Sequence, residues 1–149
     1  MREEQVTKII LEWLINSGWK IVCFDFPQSG TGKFLHANGS LEKNKDTINP
    51  DIVAVKDNIC LFFENKDRFY FPDFQKQNML RENNNYTDDI DRLLEDFSVK
   101  NIFYGIGLPV NKFSKKAFDS SSMVDFIIGV DETKKIVLLA NKAGIYWNL

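Results

Sequence analysis

The chain has 149 residues, 44% of them apolar and 27% charged, the proportions of a globular protein, and a length that suits one domain with its own core and excludes two. A net charge of -2 excludes binding of nucleic acid over the whole surface and confines such contact to a local basic patch. His36 is the only histidine, and Cys23 and Cys60, the only cysteines, lie inside apolar runs, which excludes a His-rich or structural zinc site and reads as buried thiols in a reducing compartment.

Met-Arg-Glu-Glu opens no apolar leader and no later run is long enough to span a membrane, so a cytoplasmic protein is expected. From Glu3 to Ser17, Val6, Ile9, Ile10, Trp13 and Leu14 recur at helical spacing, with Gly18 as a stop signal, which predicts a helix. At about 100° per residue, Glu3 falls on the flank of that stripe near Ile10 and Leu14, and Glu4 beside Leu11 and Ile15. Both acids also suit the positive end of the helix dipole.

Trp19 to Phe26 is apolar and β-rich and predicts the first strand. Pro27-Gln-Ser-Gly-Thr-Gly-Lys33 imitates a phosphate-binding loop, but Pro27 stands where Gly is needed, Phe34 stands where Ser or Thr is needed, and no helix follows. A nucleotide cofactor is therefore rejected. The polar segment continues to Asp46, and its Lys33, His36, Asn38, Lys43, Asn44 and Lys45 carry donors for phosphate oxygens and base edges. It is either a functional loop reaching over a site or a surface loop with scattered lysines.

Next come Asp51-Ile-Val-Ala-Val and Ile59-Cys-Leu-Phe-Phe-Glu64-Asn-Lys66, separated by Lys56-Asp57-Asn58. Two apolar runs around a tight turn predict an antiparallel hairpin. With Asp57-Asn58 as the loop, Lys56 faces Ile59, and counting outward sets Asp51 opposite Glu64. Opposed side chains have Cβ atoms about 5 Å apart, and like charges there repel. Strand alternation puts Lys66 on the face of Glu64 and turns Asn65 the other way. A hard divalent cation would relieve two such carboxylates, and a nearby ammonium would offset charge developing on a phosphate. The plain alternative is an Asp51 that caps a turn and a solvated strand end from Glu64 to Lys66; Phe62 and Phe63, directly before Glu64, weigh against it.

Downstream, Phe69-Tyr-Phe-Pro72 reads as a break, Phe74–Arg81 and Ile90–Phe97 as helices, and Asn83 to Tyr86 as the loop between them. Strands are predicted at Asn101–Leu108, Val124–Val130 and Lys135–Ala140, the last two joined by the polar turn Asp131 to Lys134. Lys112, Lys115 and Lys116 make the densest basic cluster, a phosphate grip or a solvated surface. Tyr146, Trp147 and Leu149 are expected to fold back onto the body.

Pro50-Asp51 and Glu64-Asn65-Lys66, at the ends of adjacent predicted strands, resemble the motif of the PD-(D/E)XK nuclease superfamily, which includes restriction endonucleases and Holliday-junction resolvases. The order of elements is similar as well, and implies an α/β, restriction endonuclease-like core in which a central mixed sheet is flanked by helices. The resemblance implies that Asp51 and Glu64 bind Mg2+, with Mn2+ able to substitute, that the Asn65 backbone carbonyl adds a ligand, and that Lys66 positions the attacking water. An acid on the first helix supports the metal site in many members, and Glu3 fits that position better than Glu4. Related nucleases often carry a Gln or Lys on the helix after the motif, for which Gln75, Lys76 and Gln77 stand available. The function implied is DNA cleavage, first as a restriction-type endonuclease, a form that could have a companion methyltransferase; cutting both strands with one site per chain would favour a homodimer. A junction resolvase or repair nuclease comes second, and a non-cleaving DNA-binding or assembly subunit third. A small cytosolic α/β protein with a coincidental motif is the remaining alternative.

Overall fold

The structure is a computed structural model that describes residues 1–25, 35, 38 and 48–147. A six-stranded mixed sheet runs in chain order, β1 (Lys20–Phe24), β2 (Ile52–Lys56), β3 (Ile59–Asn65), β4 (Asn101–Pro109), β5 (Phe126–Val130) and β6 (Ile136–Asn141). The first three strands are antiparallel, β3, β4 and β5 are mutually parallel, and β6 returns antiparallel. Helix α1 (Glu3–Asn16) covers one face; α2 (Phe71–Glu82), α3 (Thr87–Leu93) and the short α4 (Lys115–Asp119) belong to the connections between the parallel strands.

Both faces are buried, which is why β2 and β3 read as unbroken apolar runs. Ile52, Ala54, Leu61 and Phe63 pack under Val6, Ile10 and Leu14 of α1, while Val53, Val55, Cys60 and Phe62 pack under Leu80 of α2 and Ile90 of α3. Phe62 and Phe63 are fully buried, and at roughly 2 kcal/mol each such side chains fix the strand register leading into Glu64. Gln77 pins α2 to the sheet, donating to the main-chain oxygens of Phe62 (2.9 Å) and Gly105 (2.7 Å).

The hairpin register is the one expected, from Lys56↔Ile59 out to Ile52↔Phe63, with Asp57 at φ 55° in the turn. Helix α1 ends as Gly18 turns to φ 88° and the Trp19 N–H reaches back to the Leu14 oxygen at 2.9 Å. Two helices differ from expectation. Pro72 does not break the chain before α2 but sits in its first turn, where its missing N–H leaves nothing unpaired. Helix α3 starts at Thr87 and ends at Leu93, because Asp88 and Asp89 occupy its first turn, where the dipole favours them. Trp147 does fold back, its ring 5.6 Å from Trp13 and 5.3 Å from Phe126. Tyr146, in contrast, is exposed, and Leu149 lies outside the described residues. Among the described residues no helix is long and apolar enough to cross a membrane.

Candidate metal centre

The C-terminal end of β3 brings the motif together. Ile52↔Phe63 is the last pair of the ladder, and Asp51, in the bend just before β2, lies next to Glu64. Asp51 is tied in by its own N–H to the Phe63 oxygen (3.0 Å) and by the Asn65 N–H, which donates to Asp51 Oδ2 at 2.7 Å. The two carboxyls lie within hydrogen-bonding reach of each other, and Glu64 is only 5% exposed.

Their electrostatics follow from this burial. Desolvation pushes the Asp51 carboxyl up to about 6; the Asn65 N–H pulls it down, and the charge of Glu3 adds to the rise. Burial is also the main cause that holds Glu64 well above the ordinary carboxylate range, reinforced by Asp51 and opposed by Lys76. Lys76 Nζ stands 3.2 Å from Glu64 Oε1. One ammonium thus faces two carboxyls whose negative forms are both penalised, the donor set a hard cation satisfies.

Lys66 follows directly. Its N–H is fixed to the Gly107 oxygen at 2.9 Å, and its Nζ lies 3.0 Å from Glu3 Oε1 and 3.7 Å from Asp73 Oδ2. Burial disfavours the Lys66 charge, but Glu3, Asp73 and Asp51 outweigh it and hold the ammonium above its ordinary value. Lys66 therefore stays protonated at neutral pH and acts as a hydrogen-bond donor and a charge, not as a base. Asn65 turns to the opposite face and donates to Thr7 Oγ1 at 3.1 Å. Gly107 makes room for it, since a Cβ there would collide with Asn65 Oδ1 and Ile10 Cδ1.

Asp51, Glu64, Lys66 and Glu3 are thus assembled at one place. Glu4 is not among them, because it points to solvent one position further round α1. Lys112, Lys115 and Lys116 are exposed after β4, and Lys115 is paired with Asp119 at 2.8 Å; no described ion pair joins them to the carboxylates. Lys33, His36, Lys43 and Lys45 lie outside the described residues. Of the three candidates on α2, Lys76 is at the site, Gln77 is structural and Gln75 is exposed.

Asp73 was not expected. It is 4% exposed, burial raises its carboxyl above the ordinary value, and its Oδ2 accepts no hydrogen bond, leaving Lys66 as the cation beside it. The signal that could have found it is Pro72-Asp73 with Lys76 three residues on, a helix first turn that carries an acid.

Comparison of the chain with family models, with curated proteins and with solved structures found no match. The geometry alone therefore carries the functional reading. Among the described residues no three His, Cys, Asp or Glu side chains form a complete metal cage, so a cation at Asp51 and Glu64 needs carbonyl and water oxygens as well, as Mg2+ commonly does. A cleft of about 580 Å3 opens at the ends of β4 and β5, and neither Asp51 nor Glu64 lines it. Among the described residues it is lined by Pro109, Val110, Asn111, Asp131 and Glu132 with others, none of them lysine or arginine, so these offer no positive charge for a phosphate.

Proposed function

We propose that this protein is a Mg2+-dependent endodeoxyribonuclease of the PD-(D/E)XK type, with a restriction endonuclease-like core. The observation that carries the reading is half-buried Asp51 beside buried Glu64, with Lys66 one strand step beyond. An acid and a lysine two residues apart are common on solvated strands; here Glu64 is buried and Lys66 is clamped between Glu3 and Asp73.

Asp51, Glu64 and the Asn65 carbonyl would hold the Mg2+, or Mn2+ in its place. When bound, the ion supplies Lewis acidity that sharpens an attacking water and neutralises charge on the scissile phosphate. Lys66, kept charged by its two acids, donates to the water or to a phosphate oxygen as the P–O bond opposite the attack breaks. Lys76 offsets the charge of Glu64. Both carboxyls must be ionised to bind a cation and burial raises both, so activity rises with pH from the acid side.

Cutting both strands of a duplex with one site per chain would favour a two-fold dimer. The restriction-type form and the form that cuts branched or damaged DNA share this chemistry, and Tyr70, exposed with its ring 4.7 Å from Lys66 Nζ, favours the second.

The test is incubation of supercoiled plasmid and linear DNA with the protein in Mg2+ or in EDTA, beside Asp51→Ala and Lys66→Ala. Cleavage that needs Mg2+ and is lost in both variants is the expected result. Discrete fragments from linear DNA would assign the restriction-type form. No cleavage of any DNA in Mg2+ or Mn2+ would overturn the nuclease and leave a DNA-binding or assembly subunit.

A further inference from the structure

Directly beside the reactive lysine, Tyr70 and Phe71 open the first turn of α2 and stay 39% and 42% exposed. Phe69, just before them, packs 6.5 Å from Phe71 and 5.3 Å from the fully buried Phe74, so the Phe71 ring stands on a packed base. The cations are placed with them: Lys66 Nζ is 4.7 Å and the Arg68 guanidinium carbon 5.5 Å from the Tyr70 ring centroid.

We infer that Tyr70 and Phe71 form a stacking platform for an unpaired nucleobase next to the scissile phosphate, so that the substrate is DNA whose strands are open at the cut. The inference rests on the nuclease reading and narrows it. In a duplex the faces of each base are covered by its neighbours, and only an extruded or single-stranded base presents one to a side chain. Aromatic rings flanked by cations are how single strands are held without reading their sequence.

Charge points the same way. Binding driven by phosphate contacts needs many cations, whereas this chain has a net charge of -2 and puts four acids, Glu3, Asp51, Glu64 and Asp73, at the site itself. Stacking supplies affinity that does not depend on net charge, about ten- to a hundredfold per base. Lys66, already within reach of Tyr70, would then meet the phosphate attached to the stacked nucleotide.

The experiment compares the full chain with Phe71→Leu and with the Tyr70→Leu/Phe71→Leu pair, on oligonucleotides carrying 2-aminopurine as single strand, forked duplex and full duplex. Binding is read in EDTA from 2-aminopurine quenching, cleavage is read in Mg2+, and thermal unfolding controls for folding. The wild type should bind and cut the single strand and the fork at least about tenfold better than the duplex. Phe71→Leu should lose most of that preference and its quenching, with duplex binding and the unfolding temperature unchanged. Equal or tighter binding of the duplex, or a Phe71→Leu variant weakened equally on all three, would overturn the platform. Cleavage without single-strand preference overturns the platform and leaves the nuclease. Quenching that depends on Phe71, with no cleavage of any substrate, overturns the nuclease and leaves the platform.

Discussion

Replacing Asp51 by asparagine should stabilise the protein at neutral pH, although it removes a residue of the proposed centre. Burial moves this carboxyl from its ordinary 3.8 to about 6, and at about 1.4 kcal/mol per pH unit that makes the fold about 3 kcal/mol less stable with the group ionised than with it protonated. The sign follows from proton binding. Between 3.8 and about 6 the folded state holds the proton more tightly than the unfolded state, so stability is highest below that interval and falls as pH rises through it. Asparagine carries no charge to desolvate, and its amide oxygen can still accept from the Asn65 N–H. Urea unfolding followed by tryptophan fluorescence in EDTA measures the effect. Relative to Asp51→Asn, the wild type should lose about 2 kcal/mol between about pH 4.5 and about pH 7.5, and Mg2+ should restore stability to the wild type alone. A wild-type minus variant difference that does not change with pH, or a variant less stable at neutral pH, would refute the reasoning that burial strains this carboxylate.

Asp73→Asn leaves Lys66 with Glu3 as its main acidic partner, so the turnover of DNA should fall severalfold with little change in KM, and Asp73→Glu should recover part of it. Lys76→Met removes the cation that lowers the Glu64 carboxyl, and the rising limb of the pH–rate profile should move to higher pH. Gly107→Ala drives a methyl group into Asn65 Oδ1 and Ile10 Cδ1; thermal unfolding should show a loss of about 1–3 kcal/mol, typical of an overpacked core.

Much of this was legible before any coordinates. The hairpin register follows from two apolar runs around a two-residue turn, because the loop length fixes which residues face each other. That register is enough to bring Asp51 next to Glu64. The stripe of α1 ranks Glu3 above Glu4, and Glu3 is the one that pairs with Lys66. Asp73 escaped because Pro72 was read as a stop. Proline marks an interruption inside a helix and a beginning in its first turn, and the apolar spacing after it is the same in both cases. The environment of Lys66 was equally hidden, since Glu3, Asp73 and Tyr70 come from α1 and α2 and meet only when both helices pack against the same end of β3. Tyr146 shows the opposite limit: its aromatic ring suggested burial, but Trp147 takes the place against Trp13 and Phe126, leaving its neighbour in solvent.

Titration with Mn2+ at neutral pH, with free ion followed by electron paramagnetic resonance, addresses the carboxylate pair most directly. The wild type should take up Mn2+ and release it to excess Mg2+. Asp51→Asn and Glu64→Gln should bind at least about tenfold more weakly while remaining folded, and Lys66→Ala should bind as the wild type does. Wild-type protein that leaves Mn2+ free, or binding that survives both carboxylate substitutions, would contradict a metal centre at Asp51 and Glu64.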